Sequence, residues 1–158
     1  MKISGPEKAD IGACEKIMRA LPNHFGIEEA LVQYLADIGD RPTFHVYVDG
    51  QMAGFLSLTR HSAESAEIHV MGVVPTEQRK GVGSALVDAA ADYLQQDGVI
   101  LFSVKTLGEA HPDENYKRTR AFYRAKGFIP LEEIPNFWNG TMPTLFMVKP
   151  LRLPHYID

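Results

Sequence analysis

The segment from Val73 to Val87 constrains this chain more than any other part of its sequence. It reads Val-Val-Pro-Thr-Glu-Gln-Arg-Lys-Gly-Val-Gly-Ser-Ala-Leu-Val, an apolar run ending at a proline, then a polar turn with two glycines, then an alanine-rich helical pattern. This order predicts a strand, a turn of exposed backbone N–H groups and the start of a helix. Because the first N–H groups of a helix lack helical acceptors and carry partial positive charge, the turn suits a phosphate or pyrophosphate group.

Other phosphate-binding sequences do not fit this segment. A Walker loop places Lys directly after its last glycine, whereas Lys80 precedes Gly81. A dinucleotide fingerprint requires a third glycine three residues after Gly83, where the chain has Leu86. A tight turn before an ordinary helix remains an alternative, but the Val-Val-Pro strand end and the Gln-Arg-Lys sequence before the glycines favour phosphate binding.

Composition indicates a single globular domain spanning residues 1–158, with 45% hydrophobic and 23% charged residues. The net charge of −4 predicts no general affinity for nucleic acid. The sole cysteine, Cys14, excludes an internal disulfide and fits a reducing cytoplasm. The N-terminal residues show no secretory pattern, and no apolar run has the length of a membrane span. A cytoplasmic protein without a membrane partner is therefore expected.

Hydrophobic periodicity and turn residues predict the element order β-α-α-β-β-β-α-β-α-β-β. The predicted strands cover residues 2–4, 44–48, 52–59, 66–74, 99–104, 128–131 and 144–149, and the predicted helices cover 11–21, 27–38, 81–96 and 115–126. Asp10 is a predicted helix cap, and Asp49-Gly50 a predicted hairpin turn. Phe137 and Trp138 are expected in a loop between the last two strands. This order predicts a mixed sheet with helices on both faces.

Two motifs and this element order resemble the GNAT family of acetyltransferases. Residues Gln78 to Gly83 have the Gln-x-x-Gly-x-Gly spacing of the acyl-CoA signature of that family. Residues Phe122 to Phe128 match the Phe-Tyr-x-x-x-Gly-Phe sequence that often ends a late GNAT helix. Tyr116 stands where many members carry Asn. Residues Tyr116 to Tyr123 read Tyr-x-x-Thr-Arg-x-Phe-Tyr, a pattern that resembles a bacterial branch of the family. The resemblance implies a mostly antiparallel central sheet.

The resemblance also implies an N-acetyltransferase that uses acetyl-CoA, needs no metal, and acts by direct attack of a primary amine on the thioester. The Met71 N–H would then bond the thioester carbonyl, and Tyr123 would protonate the departing thiolate. Val73 would pair with the pantetheine arm, and the loop would hold the pyrophosphate. The implied cofactor-binding residues are Met71, Gly72, Val73, Gln78, Arg79, Lys80, Gly81, Val82, Gly83, Ser84, Tyr116 and Tyr123.

The predicted strand at 66–74 supplies the candidates for a catalytic base. Strand periodicity places Glu67, His69 and Met71 on one face. Amine acetylation needs a neutral nucleophile, so a base must take the ammonium proton. Glu67 matches the glutamate base of the histone-acetyltransferase branch of the family. His69 is the second candidate, because an ordinary histidine titrates in a suitable range. A solvated strand face without a catalytic role remains the alternative for both residues.

Helical spacing places Tyr116, Thr119 and Tyr123 on one helix face, with Phe122 and Phe128 directed toward the core. A packing role is the alternative to the acid role of Tyr123. The same segment carries a basic run that forms either a solvated face or a contact with the CoA 3′-phosphate or an acidic partner. That run comprises Lys117, Arg118, Arg120, Arg124 and Lys126.

The remaining histidines lack metal-ligand spacing, which predicts no zinc site. They are His24, His45, His61, His111 and His155. The acceptor is expected to be a small-molecule amine or a protein amine, which the sequence does not identify. A homodimer, a non-catalytic acyl-CoA sensor and a protein-interaction module on the same fold all remain open.

Overall fold

The computed structural model describes residues 1–110, 113–138 and 142–151. The strands are β1 (Lys2–Glu7), β2 (Thr43–Val48), β3 (Gln51–Arg60), β4 (Ser65–Val73), β5 (Leu101–Leu107), β6 (Ile129–Trp138) and β7 (Met142–Pro150). The helices are α1 (Ile11–Arg19), α2 (Pro22–Phe25), α3 (Glu28–Ile38), α4 (Val82–Gln96) and α5 (Glu114–Ala125), with a 3-10 turn at Pro75–Glu77. The strands form a mostly antiparallel sheet with one parallel pair, in the order β1-β2-β3-β4-β5-β7-β6. The predicted mixed α/β fold is confirmed.

One compact unit comprises residues 1–59 and 68–93. In it β1 pairs antiparallel with β2, and β2 with β3 across the predicted Asp49-Gly50 turn. Both turn residues have positive φ, 52° and 77°, as the tight hairpin turns between twisted strands require. Asp10 caps α1 as predicted, since its carboxylate accepts the Ala13 N–H at 3.1 Å.

The core of this unit lies where α1 and α3 pack on the sheet. Its buried residues are Cys14, Ile17, Met18, Leu31, Ile38, Phe55 and Val70. Two glycines permit close packing on β3 and β4. A Cβ at Gly54 would lie 2.9 Å from Val82 Cγ1, and one at Gly72 would lie 3.1 Å from Ile17 Cγ2. The two glycines therefore set how closely α4 approaches β3 and α1 approaches β4.

The second unit comprises residues 60–67 and the described part of 94–158. Here β7 pairs antiparallel with both β5 and β6. The backbone N–H groups of Ile100 and Leu101 both donate to the Glu64 carbonyl, at 2.9 and 3.0 Å. β5 begins at Leu101 rather than at the predicted Val99, and it continues to Leu107 because β7 pairs with it up to Thr144.

The expected loop at Phe137 and Trp138 is wrong, because both residues belong to β6. The ladder between β6 and β7 is irregular between Ile134 and Trp138, but it resumes where Trp138 pairs with Met142. The Phe137 ring packs edge-on against Phe146, with 5.3 Å between ring centroids. This aromatic contact between paired strands accounts for the extra length of β6.

Candidate active site

The loop between β4 and α4 is a tight, internally bonded turn. The Glu77 N–H donates to the Val74 carbonyl at 2.9 Å. The side-chain amide of Gln78 donates to the Val73 carbonyl at 3.2 Å and so ties the turn to the end of β4. Gln78, predicted to bind the cofactor, thus has a structural contact in its side chain, and its backbone N–H donates to the Pro75 carbonyl at 3.4 Å.

Two residues of this loop adopt positive φ, Arg79 at 62° and Gly81 at 88°. Gly81 immediately precedes α4, and its carbonyl accepts the first helical bond, from the Ala85 N–H at 2.9 Å. A Cβ at Gly81 would meet nothing within 4 Å. The glycine is therefore required by its backbone conformation, and open space lies beside it.

The first turn of α4 contains Val82, Gly83 and Ser84. Helix geometry leaves the N–H groups of this turn without helical acceptors. Val82 is only 1% exposed and anchors the turn on the core, whereas Gly83 and Ser84 are half-buried. Arg79 and Lys80 are exposed beside it. The predicted strand, turn and helix start are confirmed, and the arrangement can accept an anion.

The end of β4 carries the residues predicted to contact the thioester and pantetheine arm. Gly72 is buried, and a Cβ there would contact Ile17 and Leu21 of the α1 side. Met71 and Val73 are half-buried and, by strand alternation, belong to the opposite face. Any ligand contact of Gly72 is therefore a backbone contact.

His69 is fixed by α3. Its Nε2 lies 3.1 Å from Asp37 Oδ2, and its ring lies edge-on to Tyr34 with 5.7 Å between centroids. Gln33 donates to the other oxygen of Asp37 at 2.9 Å. The second candidate base therefore belongs to a carboxylate–histidine pair rather than to a solvated strand face.

Glu67 is buried, with 7% of its surface exposed, and its carboxylate is ion-paired. Lys105 Nζ lies 2.8 Å from Oε2 and 2.9 Å from Oε1, and His61 Nε2 lies 2.6 Å from Oε1. This burial excludes a solvated strand face for Glu67. The two partners supply the pairing and the hydrogen bonds that a buried charge requires.

Tyr123 is 6% exposed, and its ring packs between two phenylalanines of the second unit. The centroid distances are 5.4 Å to Phe122 and 5.5 Å to Phe128, and Gly127 ends the segment at φ 92°. Phe128 is buried as predicted, but Phe122 is only half-buried. Tyr116 is half-buried on the same helix. The contacts fix the Tyr123 ring and fit both the acid role and the packing role.

A sequence model of the acetyltransferase (GNAT) family matches residues 13–128. The chain belongs to the GNAT acetyltransferase family. A mycothiol acetyltransferase from Beutenbergia cavernae is 36% identical to this GNAT chain over 83 residues, which are 52% of the chain. The aligned stretch covers only 26% of that relative, so the chain spans about a quarter of its length.

Solved GNAT structures share the whole fold. The ribosomal-protein-S18-alanine N-acetyltransferase from Escherichia coli superposes with a TM-score of 0.81 at 21% identity, covering 99% of this chain and 97% of that one. A GNAT acetyltransferase from Elizabethkingia anophelis with acetyl-CoA bound gives 0.72 at 17% identity, covering 95% and 97%. At these identities the likeness shows the fold.

In this GNAT chain, the residues described contain no group of three or more His, Cys, Asp or Glu side chains placed to hold a metal ion. His111 and His155 lie outside the described residues. Likewise, none of the helices in the described ranges is long and apolar enough to cross a membrane. Of the basic run on α5, Lys117, Arg118 and Arg124 are exposed, while Arg120 donates to the Leu107 carbonyl at 2.8 Å.

Sequence reasoning missed the two cations that pair with Glu67. The predicted fifth strand ended at Val104, one residue before Lys105, and His61 was grouped with the scattered histidines. One signal was available: apolar and polar residues alternate from Phe102 to Lys105, which extends the strand by one residue. A charged residue at a strand position requires a partner when it is partly buried.

Proposed function

We propose that this GNAT protein is an acetyl-CoA-dependent N-acetyltransferase that acetylates a primary amine. The observation that carries the proposal is the loop before α4, where Arg79 and Gly81 have positive φ and open space lies beside Gly81. Such a turn at a helix N-terminus suits the pyrophosphate of CoA. The similar protein from Elizabethkingia anophelis was solved with acetyl-CoA bound, which supports the same donor here.

The reaction forms one C–N bond and breaks one C–S bond. The neutral amine nitrogen attacks the thioester carbonyl carbon, and the carbonyl oxygen gains negative charge. The sulfur then leaves as a thiolate, and the nitrogen loses one proton to become the amide. We assign the Met71 N–H to stabilise the developing oxyanion. The Tyr123 hydroxyl would act as the general acid that gives its proton to the thiolate.

An amine acceptor is mostly an ammonium ion at neutral pH, so its proton must be removed before attack. Glu67 is proposed to drive this deprotonation, with His69 as the alternative. Substituting Glu67→Gln should lower turnover at neutral pH and lower it less at high pH, where free amine is abundant. A pH–rate profile identical to that of the wild type would assign the role to His69 or to solvent.

The acceptor is proposed to be a small-molecule or protein amine. The protein is proposed to act in the cytoplasm as a single domain spanning residues 1–158. The names of two similar proteins refer to mycothiol and to a ribosomal-protein alanine, so small-molecule and protein amines both belong in the screen. Calorimetry with acetyl-CoA is the first test, because absence of binding would leave a protein-interaction module.

An amine panel with thiol release as the readout is the second test. It should include polyamines, amino acids, aminoglycosides and peptides with free N-termini. Thiol release that depends on one amine class, with the acetylated product seen by mass spectrometry, would support the enzyme. Binding of acetyl-CoA without turnover across all classes would support a non-catalytic sensor instead.

A further inference from the structure

We infer that His61 takes the proton of the acceptor, and that Glu67 and Lys105 position it. This inference deepens the proposed function and rests on it. It starts from the carboxylate of Glu67, which has few sites left for a proton. Lys105 occupies both of its oxygens, and His61 shares one of them. A carboxylate has about four lone-pair directions, so three hydrogen bonds leave it a poor direct base.

His61 is better placed to exchange protons with an incoming molecule. Its side chain is 48% exposed, whereas the side chain of Glu67 is only 10% exposed. The backbone of His61 is held by the turn between β3 and β4, where its N–H donates to the Ser65 carbonyl at 3.0 Å. The imidazole therefore lies between the buried carboxylate of Glu67 and solvent, and its backbone is held in place by the turn.

The contact with Glu67 selects the tautomer of His61. An ionised carboxylate can only accept hydrogen bonds, so the ring nitrogen facing it, Nε2, must carry the hydrogen. In the neutral imidazole Nδ1 then carries the lone pair and is the atom that can accept a proton. A carboxylate that orients a histidine and stabilises its charged form is the same arrangement that activates histidine in hydrolytic triads.

Lys105 is the cation that pairs with the carboxylate facing His61. Its ammonium balances the buried carboxylate, and the rings of Phe146 and Phe137 lie 5.4 and 5.8 Å from Nζ. Because Lys105 contacts both oxygens of Glu67, the carboxylate faces His61 in a fixed orientation. Lys105 therefore positions Glu67, and Glu67 positions the ring of His61.

The protons balance over one cycle. The ammonium of the acceptor gives one proton to Nδ1 of His61, which leaves a neutral amine and an imidazolium. The amine attacks the thioester, and the thiolate takes its proton from Tyr123. The nitrogen now bonded to the acetyl carbon releases its second proton to water as the amide forms, and Tyr123 recovers one from water. The imidazolium releases its own proton to water through the exposed ring, so one proton leaves per cycle. Glu67 takes no proton in this cycle.

The test of the base is chemical rescue, using the acceptor that the amine panel identifies. His61→Ala should lower turnover by roughly 10²-fold. Added imidazole should restore part of that turnover, because the half-exposed ring leaves an opening to solvent, and the wild type should not respond to imidazole. Glu67→Gln should lose activity that imidazole does not restore. Glu64→Gln is the matched control, since this exposed carboxyl lies in the same turn as His61, and the variant should retain its activity.

Turnover of His61→Ala equal to that of the wild type, or a loss that imidazole cannot reverse while acetyl-CoA still binds, would overturn the inference. If the wild type itself acetylates no amine, the proposed function fails. The contact between His61 and Glu67 is then tested only by measuring which ring nitrogen of His61 carries the hydrogen. Nitrogen-15 NMR should show His61 with its hydrogen on Nε2 at neutral pH, and this preference should weaken in Glu67→Gln. A wild-type ring with its hydrogen on Nδ1 would contradict the arrangement directly.

Discussion

The backbone N–H of Asp10 donates a hydrogen bond to Nε2 of the buried His45, at 3.1 Å. The other ring nitrogen contacts the Glu7 carboxylate, so Nδ1 carries the hydrogen and the ring is neutral. One imidazole thus joins β1 to the N-terminus of α1. Hydrogen bonds from Ser4 and then His45 hold the pKa of Glu7 below its ordinary value.

This pairing predicts how stability responds to acid. A carboxylate with a lowered pKa stabilises the folded state above its unfolded pKa, and that contribution is lost as the pH falls through the folded value. Glu7→Gln should therefore cost stability at neutral pH, by less than about 1 kcal/mol because Glu7 is exposed, and the cost should shrink as the pH falls below the ordinary glutamate pKa of ~4.3. Thermal unfolding from pH ~3 to pH ~7, which covers the range where carboxylates titrate, measures this difference. Glu29→Gln, at an exposed residue, should not change the shape of the curve.

Removing one partner of the Lys105–Glu67 pair should destabilise the protein more than removing both partners. Lys105→Met leaves a buried carboxylate without its main partner, which typically costs about 3–5 kcal/mol. Adding Glu67→Gln to Lys105→Met should recover part of that loss, because the unpaired charge is gone. Urea unfolding of both single variants and the double variant measures the coupling. Strictly additive losses would show that the two side chains do not stabilise each other.

The loop before α4 should lose acetyl-CoA affinity when a negative charge enters it. Gly83→Asp places a carboxylate in the first turn of the helix, where the pyrophosphate is proposed to lie, and like charges repel. Calorimetry should show at least a roughly tenfold weaker affinity, about 1.4 kcal/mol, with the thermal unfolding temperature nearly unchanged. Gln96→Asp is the matched control, since it adds the same charge at the exposed last residue of α4, at the opposite end of the helix. Equal affinities for the two variants would remove the loop from the cofactor site.

The hydroxyl of Tyr123 can be tested without disturbing its ring. Tyr123→Phe keeps the aromatic contacts with Phe122 and Phe128 and removes only the proton donor. Acetyl transfer in a single turnover should slow by about 10²-fold, while acetyl-CoA affinity changes little. If the rate matches that of the wild type, Tyr123 has a packing role, and Tyr116 becomes the next donor to test.

Local signals predicted the elements that depend on neighbouring residues. The Asp49-Gly50 turn, the Asp10 cap and the Gly127 helix end each need only a few adjacent residues, and all three occur. The pairing of Glu67 with Lys105 joins residues 38 positions apart, and it depends on which strands lie side by side. Sequence periodicity gives the face of a strand but not its neighbour, so it could not identify these partners.

The full burial of Cys14 has a practical consequence for measuring catalysis. Burial raises the pKa of its thiol to about 12, so almost no reactive thiolate is present at neutral pH. Because Cys14 is the sole cysteine of the chain, a thiol-specific dye added to the folded protein should detect released CoA with no background from the enzyme. A slow rise of one thiol per chain would report unfolding, so the same assay distinguishes turnover from loss of the enzyme.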